Sequence, residues 1–175
     1  QTVLHSNPIY DTKKDNVDRQ DKRSRGLLNL YGDCEIIKGL RFRSSVTYDL
    51  SNNEIGEYYS STSQKRQLAS PYAINRTDTD KQLLFTNLIN YKNTFGLHSI
   101  DVSAVNDIQT YSTTRVGLIG QDMPYYGSWY NVNEAPDIFE RESYLKEWSL
   151  LSFMGRINYS FKDRYLMTLT GRYDG

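Results

Sequence analysis

Few side chains in this chain could carry chemistry: two histidines, one cysteine and a run of carboxylates near residue 140. His5 lies in a polar leader and His98 beside a turn, and neither stands at metal-ligand spacing to a second donor. Cys34 is the single cysteine, which rules out an internal disulfide and a cysteine-based metal site. It falls within an alternating apolar pattern, where a small buried or lipid-facing residue fits better than a nucleophile. Asp137, Glu140 and Glu142 are interspersed with Arg141 and Lys146, the composition of a solvated mixed-charge loop, and nothing favours a catalytic pair. The sequence contains no phosphate loop, dinucleotide fingerprint or nucleophile elbow. The chain therefore reads as a non-enzyme, with no cofactor and no metal.

The strongest local feature is aromatic. Tyr125, Tyr126, Trp129 and Tyr130 are joined by Gly127 and Ser128. On a long loop such a group suits stacking against sugar rings or packing on a partner protein. The competing reading is a loop folded on itself, with the rings as its own core. Tyr58 and Tyr59, in an earlier polar stretch, form a second candidate contact group.

The elements that must position these residues are strands. The 21 basic and 21 acidic residues cancel, so no global field draws in nucleic acid. Hydrophobic content is only 38%, yet aromatics reach 13% with 15 tyrosines, which argues against disorder and for strands with one apolar and one polar face. No stretch approaches the roughly 20 apolar residues of a transmembrane helix, a fact silent about β-barrels. There is no initiator Met and no signal peptide, and both ends read as cuts.

Period-2 alternation marks six strands. Leu28, Leu30, Gly32, Cys34 and Ile36 share one face, as do Leu40, Phe42, Val46, Tyr48 and Leu50. Leu83, Phe85, Ile89 and Tyr91 repeat the pattern, then Ile100, Val102, Ala104 and Ile108, with Val105 breaking it. Leu151, Phe153, Gly155, Ile157, Tyr159 and Phe161, then Tyr165, Met167, Leu169 and Tyr173, complete it. The organisation expected is a loop over 1–23, hairpins over 24–50, 81–110 and 148–175, and long loops over 51–80 and 111–147.

Connections alternate short and long, so in an up-and-down meander all short turns share one end of the sheet. Outer-membrane barrels have this asymmetry, with short periplasmic turns and long extracellular loops. Arg41, Arg43, Asp49, Asp101, Asp107, Arg156, Arg172 and Asp174 all fall on the polar face. On a lipid face each Lys or Arg at mid-bilayer would cost about 2–4 kcal/mol. Tyr48, Tyr91, Tyr159, Phe161 and Tyr165 near strand ends suit interfacial girdles. Six strands cannot close a membrane barrel, since about eight is the smallest closed number. The fold class expected is all-β, an antiparallel up-and-down meander of about six strands from a transmembrane outer-membrane β-barrel. A soluble β-sandwich binding module is the alternative from pattern alone, disfavoured by long loops and few apolar residues.

One family resemblance is specific. The run from Leu151 through Gly155-Arg156-Ile157-Asn158-Tyr159 and Lys162-Asp163-Arg164-Tyr165 to Arg172-Tyr173-Asp174-Gly175 resembles a barrel signature of the SusC/RagA-type TonB-linked outer-membrane receptors. Lys38-Gly39-Leu40-Arg41-Phe42 and Asn93-Thr94-Phe95-Gly96-Leu97-His98 resemble two earlier hairpins of the family, in the same order. Met154 stands where an aromatic is usual, and Leu169 where a small residue is common. The resemblance implies the middle of a large TonB-dependent barrel in the cell outer membrane, importing an oligomeric glycan or peptide. It implies a SusD-like surface lipoprotein and the TonB complex as partners, the latter through segments outside this sequence. A receptor or adhesin barrel without uptake is the runner-up. Within the wall, Arg156, Arg172 and Asp174 are expected to face the lumen as structural charges. Gly155 and Gly171 are expected where an aromatic neighbour can cover the bare backbone.

Overall fold

A computed structural model describes residues 8–13, 15–124 and 128–175. Six strands pair in sequence order, β1 (Val17–Ile37), β2 (Leu40–Tyr59), β3 (Tyr72–Phe95), β4 (His98–Gln121), β5 (Asp137–Phe161) and β6 (Tyr165–Asp174). The antiparallel meander expected from alternation is what forms. Three tight turns join β1–β2, β3–β4 and β5–β6, and each uses left-handed backbone. Gly39 sits at φ 84° and Gly96 at 61°, where glycine carries no steric cost. In the third turn Lys162 and Asp163 take φ of 53° and 54° without glycine, with Ser160 Oγ donating to Asp163 over 3.4 Å.

The strands are longer than alternation predicts. β1 begins at Val17, inside the segment expected as a leader loop over 1–23. β2 runs on to Tyr59 and β3 starts at Tyr72, so the connection expected over 51–80 shrinks to 60–71. β4 and β5 likewise reduce the connection expected over 111–147 to 122–136, which holds a short 3-10 segment, Trp129–Glu134. The physical reason is that alternation reports a contrast between the two faces of a sheet, whereas the hydrogen-bond ladder needs none. A strand crosses a bilayer core with about 9–11 residues; β1 to β5 reach about twice that, and β6, with 10, does not.

The chain divides into two compact units. One comprises 1–25, 51–80 and 113–146, the other 26–50, 81–112 and 147–175. The first has its own core of Tyr58, Ala73, Met123, Val132 and Ala135, with Leu118, Trp129 and Ile138 packed against it.

The second unit has two contrasting faces. On one, Leu30 and Leu169 are 61% and 63% exposed, and Cys34, Val46, Ile89, Phe153 and Met167 are exposed with them. On the other, polar groups bond across strands. Asp33 binds Arg41 at 3.1 Å and Arg43 at 2.8 Å, Thr86 donates to Asp107 over 2.6 Å, and Asn90 donates to Asp101 over 2.8 Å. At the short turns His98 Nδ1 lies 2.7 Å from the Tyr159 hydroxyl, and its ring is 4.8 Å from that of Phe161. Phe161 in turn stacks on Tyr165 at 6.3 Å.

Candidate functional site

Of the residues expected at a ligand- or partner-contacting loop, Tyr125 and Tyr126 lie outside the described residues, as does His5. Tyr58 and Tyr59 are not on a loop. They end strand β2, only 2% and 7% exposed. Tyr58 belongs to the core of the first unit, and Trp129 packs against the same core. A side-chain carbon on Gly56 would overlap the Trp129 indole, so the ring lies directly on that glycine. The ring of Tyr130 stacks on Trp129 at 3.6 Å, and its hydroxyl donates to Gln20 over 3.4 Å. Tyr130 is 64% exposed. Among the described residues of the connection over 122–136, Met123, Trp129, Val132 and Ala135 thus pack onto the strands. Only Tyr130, among its described aromatics, presents a ring to solvent.

Tyr59 anchors a row of rings. Tyr59 and Tyr72 lie 6.3 Å apart, and Tyr72 and Phe139 5.9 Å. Lys65 Nζ stands 3.9 Å from the centre of the Tyr59 ring, and the Arg66 guanidinium 5.3 Å from that of Tyr72. Beneath them Glu57 gathers donors: the Tyr59 hydroxyl at 3.0 Å, Arg19 at 3.2 Å and Lys65 at 3.4 Å. Burial, then the hydrogen bond to Glu57, pushes the Tyr59 hydroxyl up to about 12. Burial alone would raise Glu57, but the Tyr59 hydrogen bond and the charges of Lys65 and Arg19 outweigh it and hold the carboxyl below its ordinary value. Burial, with the charges of Glu57 and Glu140, also raises Tyr72. Rings flanked by cations can stack on planar groups and hold carboxylates.

A second constellation had no place in the sequence reading. Arg115 on β4 forks onto Asp78 of β3, with Nε to Oδ1 at 2.5 Å and Nη2 to Oδ2 at 3.3 Å. Its other nitrogen lies 3.6 Å from Glu142 of β5, whose second oxygen is 3.8 Å from Arg76. Arg76 is 3.8 Å from Asp78, which closes the ring of four charges across three strands. The hydrogen bond to Asp78 raises the Arg115 pKa further. Gly117 leaves room for the Arg76 stem, since an added carbon there would sit 3.1 Å from Arg76 Cγ. Glu142 is therefore a strand residue held by two arginines. Asp137 accepts from Gln121 over 2.9 Å, also on β5 rather than in a loop. Continuing the alternation of β3 and β4 past residues 81 and 110 would have put Arg76, Asp78 and Arg115 on the polar face.

In the second unit Arg172 pairs with Asp174 at 2.9 Å, two positions along the same face of β6. Arg156 stands opposite Thr170 on that face. Gly155 lies directly opposite Gly171, and an added side-chain carbon at either meets nothing within 4 Å. Phe153 and Tyr173 are strand partners two positions away.

No protein-family model matches the chain. Two curated proteins of Formosa agariphila are similar to it. TonB-dependent receptor P3 is 25% identical over 153 residues, which cover 84% of this chain and 15% of that protein. TonB-dependent receptor P26 is 28% identical over 177 aligned positions, covering 97% of this chain and 18% of that protein. Among solved structures, the RagAB peptide transporter matches with a TM-score of 0.78 at 18% identity, over 92% of this chain and 18% of that one. The RagAB peptide importer in its closed-closed state matches with a TM-score of 0.77 at 18% identity, over 90% and 18%. The chain spans less than a fifth of the length of these proteins. In sequence it resembles TonB-dependent receptors, and its fold is that of a section of a RagA-type barrel wall.

Proposed function

We propose that this chain is a wall section of a TonB-dependent outer-membrane importer of oligomeric nutrients, glycan or peptide, working with a SusD-like surface lipoprotein and energised by the TonB complex. The observation that carries the reading is the two-faced second unit. One face leaves leucines more than half exposed, while the other holds its charges in cross-strand pairs. Monomeric soluble proteins rarely expose contiguous apolar patches of that kind, and lipid is the solvent that suits them. Arg156, Arg172 and Asp174 then line the lumen, and the long connections face outward from the cell. Among the described residues of the aromatic cluster, Tyr130 presents its ring to a partner lipoprotein.

Sided labelling tests this. In full-length protein on intact Gram-negative cells, with other cysteines removed, a membrane-impermeant maleimide is expected to modify Tyr130→Cys and to spare Cys34. A lipid-soluble maleimide should reach Cys34. Modification of Cys34 by the impermeant reagent would remove the lipid-facing assignment. Uptake that survives loss of the TonB complex would remove the importer reading while leaving the barrel.

A further inference from the structure

The row of rings anchored by Tyr59 belongs to one face of the sheet. Gly56 and Tyr58 of β2 carry Trp129 and the core of the first unit. Glu57 and Tyr59 alternate with them and so take the opposite face, the one to which Arg41 and Arg43 of the same strand belong. That is the face the reading above turns to the lumen, here at the end of the long connections.

The connection over 60–71 is held in one shape beside this row. Ser63 is fully buried and donates to the Ser60 carbonyl over 2.7 Å. Ser60 and Thr62 both donate to Asn16 Oδ1, over 3.1 and 2.9 Å, and the Gln64 amide donates to Asp11 over 2.9 Å. Gln67 and Leu68 take left-handed φ of 48° and 72°, which residues other than glycine seldom adopt unless their surroundings fix them. The connection brings Lys65 and Arg66 to the rings and contains no acidic residue.

The two cations are not equivalent. Lys65 lies over the Tyr59 ring and reaches Glu57 at 3.4 Å, so its charge is met within the chain. Arg66 donates through Nε to the Ser70 carbonyl over 2.6 Å, with its guanidinium 5.3 Å from the centre of the Tyr72 ring. Among the described residues no carboxylate pairs with it. The Nε bond fixes the orientation of the guanidinium and leaves its two terminal nitrogens for a planar oxyanion, which such a fork grips with two bonds. Beyond Tyr72 stands Phe139, half-exposed. These rings make no flat platform for successive sugars. Lys65 covers the Tyr59 face, and the ring planes are tilted by 46° between Tyr59 and Tyr72 and by 36° between Tyr72 and Phe139.

We propose that Arg66, Tyr72 and Phe139 form a subsite for the C-terminal end of a peptide. Arg66 takes the terminal carboxylate, and Tyr72 and Phe139 take an apolar side chain next to it. This inference rests on the importer reading above and narrows its substrate from glycan or peptide to peptide.

The test offers full-length receptor in detergent equal amounts of two random octapeptide libraries, one with free C-terminal carboxylates and one amidated, with retained peptides read by mass spectrometry. The free-acid library should be retained about fivefold better, the worth of one exposed charge pair, with apolar residues enriched at the last position. Arg66→Gln should remove the preference for the acid, and Arg66→Lys, which keeps the charge without the fork, should restore only part of it. Phe139→Ala should remove the apolar enrichment alone. The comparison of the two libraries on the unaltered receptor stands even where a variant fails to fold. Equal retention of acid and amide, or a preference that survives Arg66→Gln, overturns the subsite and leaves the importer. Retention of oligogalacturonate but of neither library overturns the choice of peptide, and the subsite with it. Uptake of the retained peptides by cells lacking the TonB complex overturns the importer reading and leaves the subsite.

Discussion

At the scale of single residues, the Glu57–Tyr59 pair is where protonation and stability are linked. The Tyr59 hydroxyl titrates near 12 in the folded protein against an ordinary 10, so the folded state holds a proton that the unfolded state has lost between those values. Its contribution is complete below pH 10 and disappears as pH rises through about 12. Glu57 works in the opposite sense. Its folded value is depressed, so its contribution is present above the ordinary 4.5 and is lost as pH falls through the lower value. Unfolding of the first unit, followed by limited proteolysis of full-length protein across pH 9–12, should show increasing cleavage. In Tyr59→Phe the part of that rise due to this hydroxyl should vanish. An identical profile in the variant would show that Tyr59 plays no part. Tyr58 and Tyr59 were visible in the sequence as a candidate pair. Their burial was not, because the groups that cover them lie at Lys65, Tyr72 and the connection over 122–136, outside any local pattern.

At the scale of elements, alternation located every strand but misjudged where four of the six end on the side of the long connections, and where β1 begins. Leu40 to Leu50 alternates because its two faces meet different surroundings. Beyond Leu50 the outward-parity residues Gly56 and Tyr58 are covered by the protein's own Trp129 and core, so the contrast fades while β2 continues. The four-charge ring was missed for the same reason, since Arg76, Arg115 and Glu142 sit on those unread extensions. The strap over 122–136 makes a direct prediction. Gly56→Val drives a side chain into the Trp129 ring and should destabilise the first unit by about 1–3 kcal/mol, as overpacking generally does. Trp129 fluorescence should shift to the red and the connection should become protease-sensitive. Gly32→Val, where an added carbon meets nothing within 4 Å, is the matched control and should leave both readouts unchanged. If both variants behave alike, the ring does not rest on Gly56.

At the scale of the whole molecule, the alternation of short and long connections was enough to read the strand order, because it leaves a meander as the simplest path and needs no knowledge of distant contacts. What holds such a sheet in place is a different matter. β1 and β6 stand at the two ends of the strand order, each with one strand neighbour among the described residues. An unpaired strand edge carries open N–H and C=O groups, which invite pairing with other chains in water and are costly in lipid. The exposed leucines of the second unit add an apolar face that water also disfavours. The 175-residue chain on its own is therefore expected to aggregate when diluted from denaturant into plain buffer, and to stay dispersed with sheet-type circular dichroism in detergent. Full-length receptor, in which further strands can pair with both edges, should resist unfolding by dodecyl sulfate at room temperature, and the isolated chain should not. A soluble, cooperatively unfolding monomer of the isolated chain in plain buffer would mean that its apolar face finds cover within the chain itself. The soluble-sandwich reading would then displace the membrane wall.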